Sequence, residues 1–139
     1  MALNMNREIV TDPLDREDLW ADLRENIALL TAHGYTQALV FFGVAWGEHI
    51  YGEKWCDLPM PLADLEPRIL EAETKGWGRL GDDNLYFTVE ELPLRLTYSY
   101  ESDIHLSYAG DHEIVSLIRE RWRTQQWLTE YLKSDTYGR

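Results

Sequence analysis

A single cysteine, Cys56, leaves this chain without an internal disulfide or a four-thiolate metal cluster, which fits a reducing compartment. Basic residues are scarce. Thirteen Lys and Arg face 25 Asp and Glu, a net charge of −12. That balance repels nucleic-acid phosphates and anionic lipid heads, since both are bound by cationic faces that release counterions. Long apolar runs are missing too: the longest, Ala38 to Trp46, is about half the length of a membrane-spanning helix. The opening Met1 to Glu8 has neither the basic start nor the apolar stretch of a secretory leader, so cytoplasm is the expected compartment.

What is present suits one domain over 1–139, with 1–10 and 134–139 expected to fray. Six Trp, eight Tyr and three Phe supply the core, each ring able to remove roughly 150–250 Å² from water. The charge is uneven. Residues 1–111 hold 21 acids and 8 bases (21 − 8, or −13), whereas 112–139 hold 4 acids and 5 bases (+1). The last helix is therefore set apart from an acidic body.

Asp12-Pro13, followed by Asp15, Glu17 and Asp18, reads as a helix start, with acids near the positive end of the dipole. Leu19, Leu23, Ile27 and Leu30 recur at helical spacing up to His33-Gly34, predicting a helix over 14–33 with Arg16, Asp22, Arg24 and Glu25 on a solvated face. The apolar run 36–46 predicts a strand buried on both faces, with 48–57 as its hairpin partner and Pro59 and Pro61 ending any strand. A second helix is expected over 62–75, despite Pro67. Alternation over 85–89, 94–100 and 104–108 predicts a three-strand meander with turns at Pro93 and Ser102-Asp103. Asp111 should cap a final helix, the longest element, carrying Ile114, Leu117, Ile118, Arg121, Gln125, Leu128 and Leu132 on one face. The expected fold is α+β: a single-layer antiparallel sheet, hairpin plus meander, packed by an N-terminal, a middle and a long C-terminal helix.

Motifs of chemistry are weak. Gly76-Trp-Gly78-Arg-Leu-Gly81 matches the dinucleotide GxGxxG, but a helix precedes it and a strand follows, and Asp82-Asp83 would repel a phosphate. It reads as a glycine-rich connection. Asp103 and His105 share a strand face and could form an acid-base or metal site if His49, Asp111 or His112 joined them, although no HExxH or CxxC spacing supports this. Cys56 reads as a buried, inert thiol. Tyr86, Tyr98, Tyr100, Tyr108, Trp46, Trp55 and Trp77 read as core rather than a ligand cavity. Arg119, Arg121 and Arg123 alternate round a helix and form no phosphate clamp, so they are expected to pair with Glu120, the acidic body or a partner subunit.

No cofactor or metal is expected, and catalysis is the lesser expectation. The reading that fits best is a cytoplasmic acidic domain binding a basic protein, of the type by which bacterial immunity proteins neutralise nuclease toxins. The expected interface is Asp82, Asp83, Glu90 and Glu91 beside Trp77 and Tyr86, extended by Glu101 and Asp103. The alternatives are a metal-dependent or acid-base enzyme, or a small-ligand protein, using Asp103 and His105; an acidic dimeric effector chaperone; and a homodimer through Trp122, Trp127 and Tyr131 of the final helix.

Overall fold

A computed structural model describes residues 5–128. In it the meander of strands β4 (Leu85–Val89), β5 (Leu94–Tyr98) and β6 (Ile104–Tyr108) forms the middle of one antiparallel sheet. β1 (Arg7–Val10) pairs with β6 on one side; β2 (Gln37–Phe42) pairs with β4 and β3 (Leu58–Pro61) with β2 on the other. The order is β1-β6-β5-β4-β2-β3. Helices α1 (Arg16–Ala32), α2 (Val44–Ile50), α3 (Leu62–Thr74) and α4 (Glu113–Thr124) complete an α+β fold. Among the described residues no helix is long and apolar enough to cross a membrane.

Period two decides which face is covered. Ile9, Val40, Phe42, Phe87, Leu96, Tyr98 and Leu106 point to one side and are fully buried against Leu19, Leu23, Leu65, Ile69, Ile114, Ile118 and Trp122 of the helices. Each such side chain contributes about 1.5–3 kcal/mol over its exposed state. The opposite face, reached by Leu39, Phe41, Tyr86, Arg95, Thr97 and His105, carries no helix among the described residues.

At the centre of the covered side lies a carboxylate. Asp22 Oδ1 accepts from Arg121 Nη2 at 2.6 Å and Trp122 Nε1 at 2.7 Å, and Oδ2 accepts from Asn26 Nδ2 at 2.8 Å and the Tyr98 hydroxyl at 2.9 Å. Asn26 Nδ2 also donates to the Tyr98 hydroxyl, and its carbonyl oxygen accepts from Arg121. The network joins α1, β5 and α4. Burial, and next the charge of Asp22, hold the Tyr98 phenol well above its usual pKa, so it remains a donor.

Several expectations need correction. Asp22 is buried rather than solvated, because it and Asn26 occupy the same i, i+4 stripe as Leu19, Leu23 and Leu30; Arg16 and Arg24 reach across to Glu73 and Glu66 of α3. Asp15, not Asp12, caps α1, its side chain accepting from Asp18 N at 2.8 Å. Residues 7–10, expected to fray, form an edge strand; 134–139 lie outside the described residues. The strand at 37–42 stops at Gly43, and 44–50 turn into a helix that places Trp46 under the sheet edge. Its hairpin partner is 58–61 rather than 48–57. Pro59 and Pro61 are tolerated there because β3 is an edge strand with one side unpaired. His112, not Asp111, caps α4, which spans 12 residues against 17 in α1. It ends in a Schellman motif, with Gln126 at φ 63 and Trp127 N bonded to Trp122 O at 2.9 Å. Leu132 and Tyr131 lie outside the described residues.

If Asp22 is the keystone, Asp22→Ala strands a buried guanidinium and three neutral donors. The expected loss is about 3–5 kcal/mol in urea or thermal unfolding, whereas Glu25→Ala on the exposed side of the same helix should stay within about 0.5 kcal/mol. Equal effects would show that the carboxylate is not a structural centre.

Candidate functional site: the uncovered sheet face

Side chains on the uncovered face form two cross-strand rows. One runs Glu8, Ser107, Arg95, Thr88, Leu39, Pro59; the other Val10, His105, Thr97, Tyr86, Phe41. Towards β1 these rows are polar, and towards β2 they are apolar. The apolar end grows into an aromatic patch because the chain after α2 folds over it: Phe41 lies 5.4 Å from Tyr51, 6.2 Å from Trp55 and 6.0 Å from Tyr86, centroid to centroid. Two features hold that loop. The Tyr51 hydroxyl accepts from Phe42 N at 2.8 Å, and a side chain at Gly47 would meet the Trp55 ring at 2.3 Å, so only glycine leaves room for it. Burial raises the Tyr51 pKa, which preserves that phenol in its neutral form.

Beside the patch is a cleft of about 240 Å³ lined by Leu39, Phe41, Asp57, Tyr86, Thr88 and Arg95. A second, of about 170 Å³, shares Leu39 and Thr88 with it and reaches Pro59, Gln37, Glu90 and Glu91. Together they make one groove along β2 and β4, with an apolar floor and carboxylates at both ends. Arg95 borders it on β5, its Nε donating to Thr88 Oγ1 at 3.1 Å. A larger depression of about 620 Å³ lies between β3 and α3 around Met60, Pro61 and Pro67, but no aromatic residue lines it. The smaller groove has the better chemistry for recognition.

The residues expected to form one interface are divided by the fold. Asp82 and Asp83 precede β4, and Glu90 and Glu91 follow it, so the two pairs sit at opposite ends of the sheet, roughly 17 Å apart for a strand of this length. Asp83 is turned inward, accepting from Arg79 N at 3.0 Å, and Asp82 stays exposed. Glu101 is exposed at the β5–β6 turn, whereas Asp103 is engaged by Ser99 and His105. Trp77 is half-buried between His49, stacked at 5.4 Å, and Lys75, 4.7 Å from its centroid. Only Tyr86, Glu90 and Glu91 of that set reach the groove. Of the other aromatic residues, Trp46, Tyr98 and Tyr108 are core, as expected, but Trp55 and Tyr100 are exposed. Cys56, expected buried, is exposed because it lies in the loop covering the patch and not in a strand.

The Asp103–His105 pairing is real, and Glu8 of β1 completes it. His105 Nε2 is 3.0 Å from Asp103 Oδ1 and Nδ1 is 3.2 Å from Glu8 Oε2. His49 stacks on Trp77, His112 caps α4 by accepting from Ile114 N at 3.0 Å, and Asp111 pairs with Arg7, so none joins the cluster. Among the described residues no group of three or more His, Cys, Asp or Glu side chains has metal-holding geometry. Ser99 donates to Asp103 and not to His105. With a carboxylate at each nitrogen, the ring in its protonated form clasps the edge strand to its neighbour.

The glycine motif is structural. Gly76 (φ 75) closes α3 in a Schellman motif, a side chain on Gly78 would meet Asp83 and Trp46 under 3.0 Å, and Gly81 (φ 96) abuts Leu19. In the last helix Arg121 pairs with Asp22 of the body, Arg123 with Glu120, and Arg119 donates to the Tyr108 hydroxyl at 2.7 Å. Trp122 is fully buried in its own core, and Trp127 is half-buried. No family model, curated protein or solved structure matches the chain.

The hydrogen bond to Glu8, followed by the charges of Asp103 and Glu8, raises the His105 pKa above its usual 6.5 in spite of partial burial. Because the folded value is the higher one, the stabilisation is fully present below the unfolded pKa and is lost as pH rises through the folded pKa. Thermal unfolding of the wild type minus that of His105→Gln should therefore show an advantage near pH 6 that shrinks by about pH 9. A pH-independent difference would show that the clasp does not depend on the imidazolium.

Proposed function

We propose that this protein is a cytoplasmic acidic domain that captures and inhibits a basic protein, as an immunity protein neutralises a nuclease toxin. The observation that carries this reading is the uncovered face of the sheet, where an aromatic patch and an apolar groove are bordered by carboxylates in a chain of net charge −12. Aromatic anchors in a partly desolvated groove supply affinity, and surrounding acids speed the encounter with a positive partner. Arg16, Arg24 and Arg121 are paired with Glu73, Glu66 and Asp22, so these pairings leave the acid excess at the value the net charge gives. Nucleic acid and anionic membranes fit such a surface poorly. The His105 clasp, with both nitrogens committed to carboxylates, favours a structural over a catalytic role for Asp103 and His105.

A photo-reactive residue placed at Leu39, on the uncovered face, should form an adduct in the source cells with one basic protein. The same probe at Leu70, exposed on α3, should not. Association of the purified pair should slow about tenfold between low and high salt, and the partner's activity should fall at one equivalent. An acidic partner, equal labelling from both positions, or salt-independent association would overturn the proposal.

A further inference from the structure

The groove also constrains what part of such a partner it takes. We infer that it receives an extended segment in which two Lys or Arg side chains, four residues apart, flank one apolar side chain. This rests on the functional reading above and specifies its site.

Spacing supplies the first argument. Asp57, just before β3, stands beside Phe41 at the level of Tyr86, while Glu90 and Glu91 follow the end of β4, so along the strand direction the two acidic ends are separated by about four residues, roughly 14 Å. An extended ligand advances at the same rate and points residues i, i+2 and i+4 to one side. Basic side chains at i and i+4 therefore reach both acidic ends when an apolar residue at i+2 rests on Leu39, Phe41 and Tyr86. Length and sidedness are satisfied together.

Arg95 supplies the second. Its guanidinium, steadied by Thr88, stands on the flank midway along the groove. A cation there disfavours a basic side chain at the centre of the ligand and offers donors to main-chain carbonyls. The pattern basic–x–apolar–x–basic is thus preferred over a continuous basic run. Pairing of the segment as an added strand on β3 is hindered because Pro59 and Pro61 withhold N–H groups along that edge. The segment lies on the face, over side chains.

The test titrates the acetylated and amidated pentapeptide Arg-Ser-Leu-Ser-Arg into isotope-labelled full-length protein, beside the reordered Arg-Arg-Leu-Ser-Ser and the acidic Glu-Ser-Leu-Ser-Glu. Amide shifts should concentrate at Leu39, Phe41, Tyr86, Thr88 and Glu90, and the spaced peptide should bind about fivefold tighter than the reordered one, with the acidic peptide inert. Asp57→Lys and Glu90→Lys/Glu91→Lys should each weaken the spaced peptide about fivefold, the scale of one exposed ion pair, with Asp57→Asn and Glu90→Gln/Glu91→Gln as neutral versions in case a reversal fails to fold. Equal affinity for the two basic peptides, shifts elsewhere, or unaltered affinity in both the reversed and neutral variants would overturn the inference. Should that happen while the captured partner still proves basic and salt-sensitive, the groove assignment falls and the functional reading stands; an acidic captured partner removes both.

Discussion

A carboxylate with no exposure to water, Asp22, decides how the rest of this molecule is arranged. An isolated buried charge is costly, and it persists only where opposite charge and hydrogen bonds replace water. Asp22 receives four donors from three elements, so α1, β5 and α4 can pack only in the one arrangement that brings Asn26, Tyr98, Arg121 and Trp122 together. The surrounding leucines and isoleucines supply driving force without direction, while the network supplies direction. Its one loose end is Arg121 Nε, buried without a partner. By fixing the long N-terminal and C-terminal helices over the same side of the sheet, the network leaves the other side uncovered.

An uncovered antiparallel face is ordinary when its residues are polar, and the β1 half of this one follows that rule. Glu8, Ser107, Thr97 and His105 are solvated or paired, and the His105 clasp fastens a strand of only four residues that a short ladder alone would leave prone to fraying. The β2 half departs from it. Leu39 and Phe41 place apolar surface where water is the default neighbour, and the loop from Tyr51 to Asp57 covers only part of it. Edge protection is nevertheless thorough there, since Pro59 and Pro61 block strand addition beside the patch. A face shielded against nonspecific pairing while retaining aromatic surface has the character of a recognition surface.

The meander was legible because apolar and polar residues alternate within each of 85–89, 94–98 and 104–108, and α3 because Leu65, Ile69 and Ala72 return at helical spacing to a Schellman glycine, despite Pro67. Three features were not. Asp22 read as surface because local pattern cannot show that its partners arrive from residues 98 and 121–122, roughly a hundred positions away in the latter case. The run 36–46 suggested one strand buried on both sides, whereas Gly43 ends the strand, since a side chain there would meet Asn84 O at 2.9 Å, and one of its two faces is left bare. The signal for the groove was nonetheless present: a strand apolar on both faces within an antiparallel sheet covered on one side must expose one of them. Asp57 and Arg95 carried no such sign, because their role depends on strand order.

The acid surplus of residues 1–111 and the near-neutral chain after them meet where α4 packs on the body. On α4, Arg121 is paired with the buried Asp22, and Arg119 donates to the Tyr108 hydroxyl. In the body, Asp22, Glu73, Glu66, Asp15, Asp83, Asp111 and the two carboxylates at His105 have partners within the fold, whereas Glu17, Glu25, Glu48, Glu53, Asp57, Glu90, Glu91 and Glu101 are exposed. Screening at physiological salt limits the reach of unpaired surface charge to about 8 Å, so under the function proposed above the steering falls to the carboxylates at the two ends of the groove. Asp82 and Asp83 lie before β4 and outside the groove, whereas Asp57, Glu90 and Glu91 line it, which is why the proposal rests on the latter three.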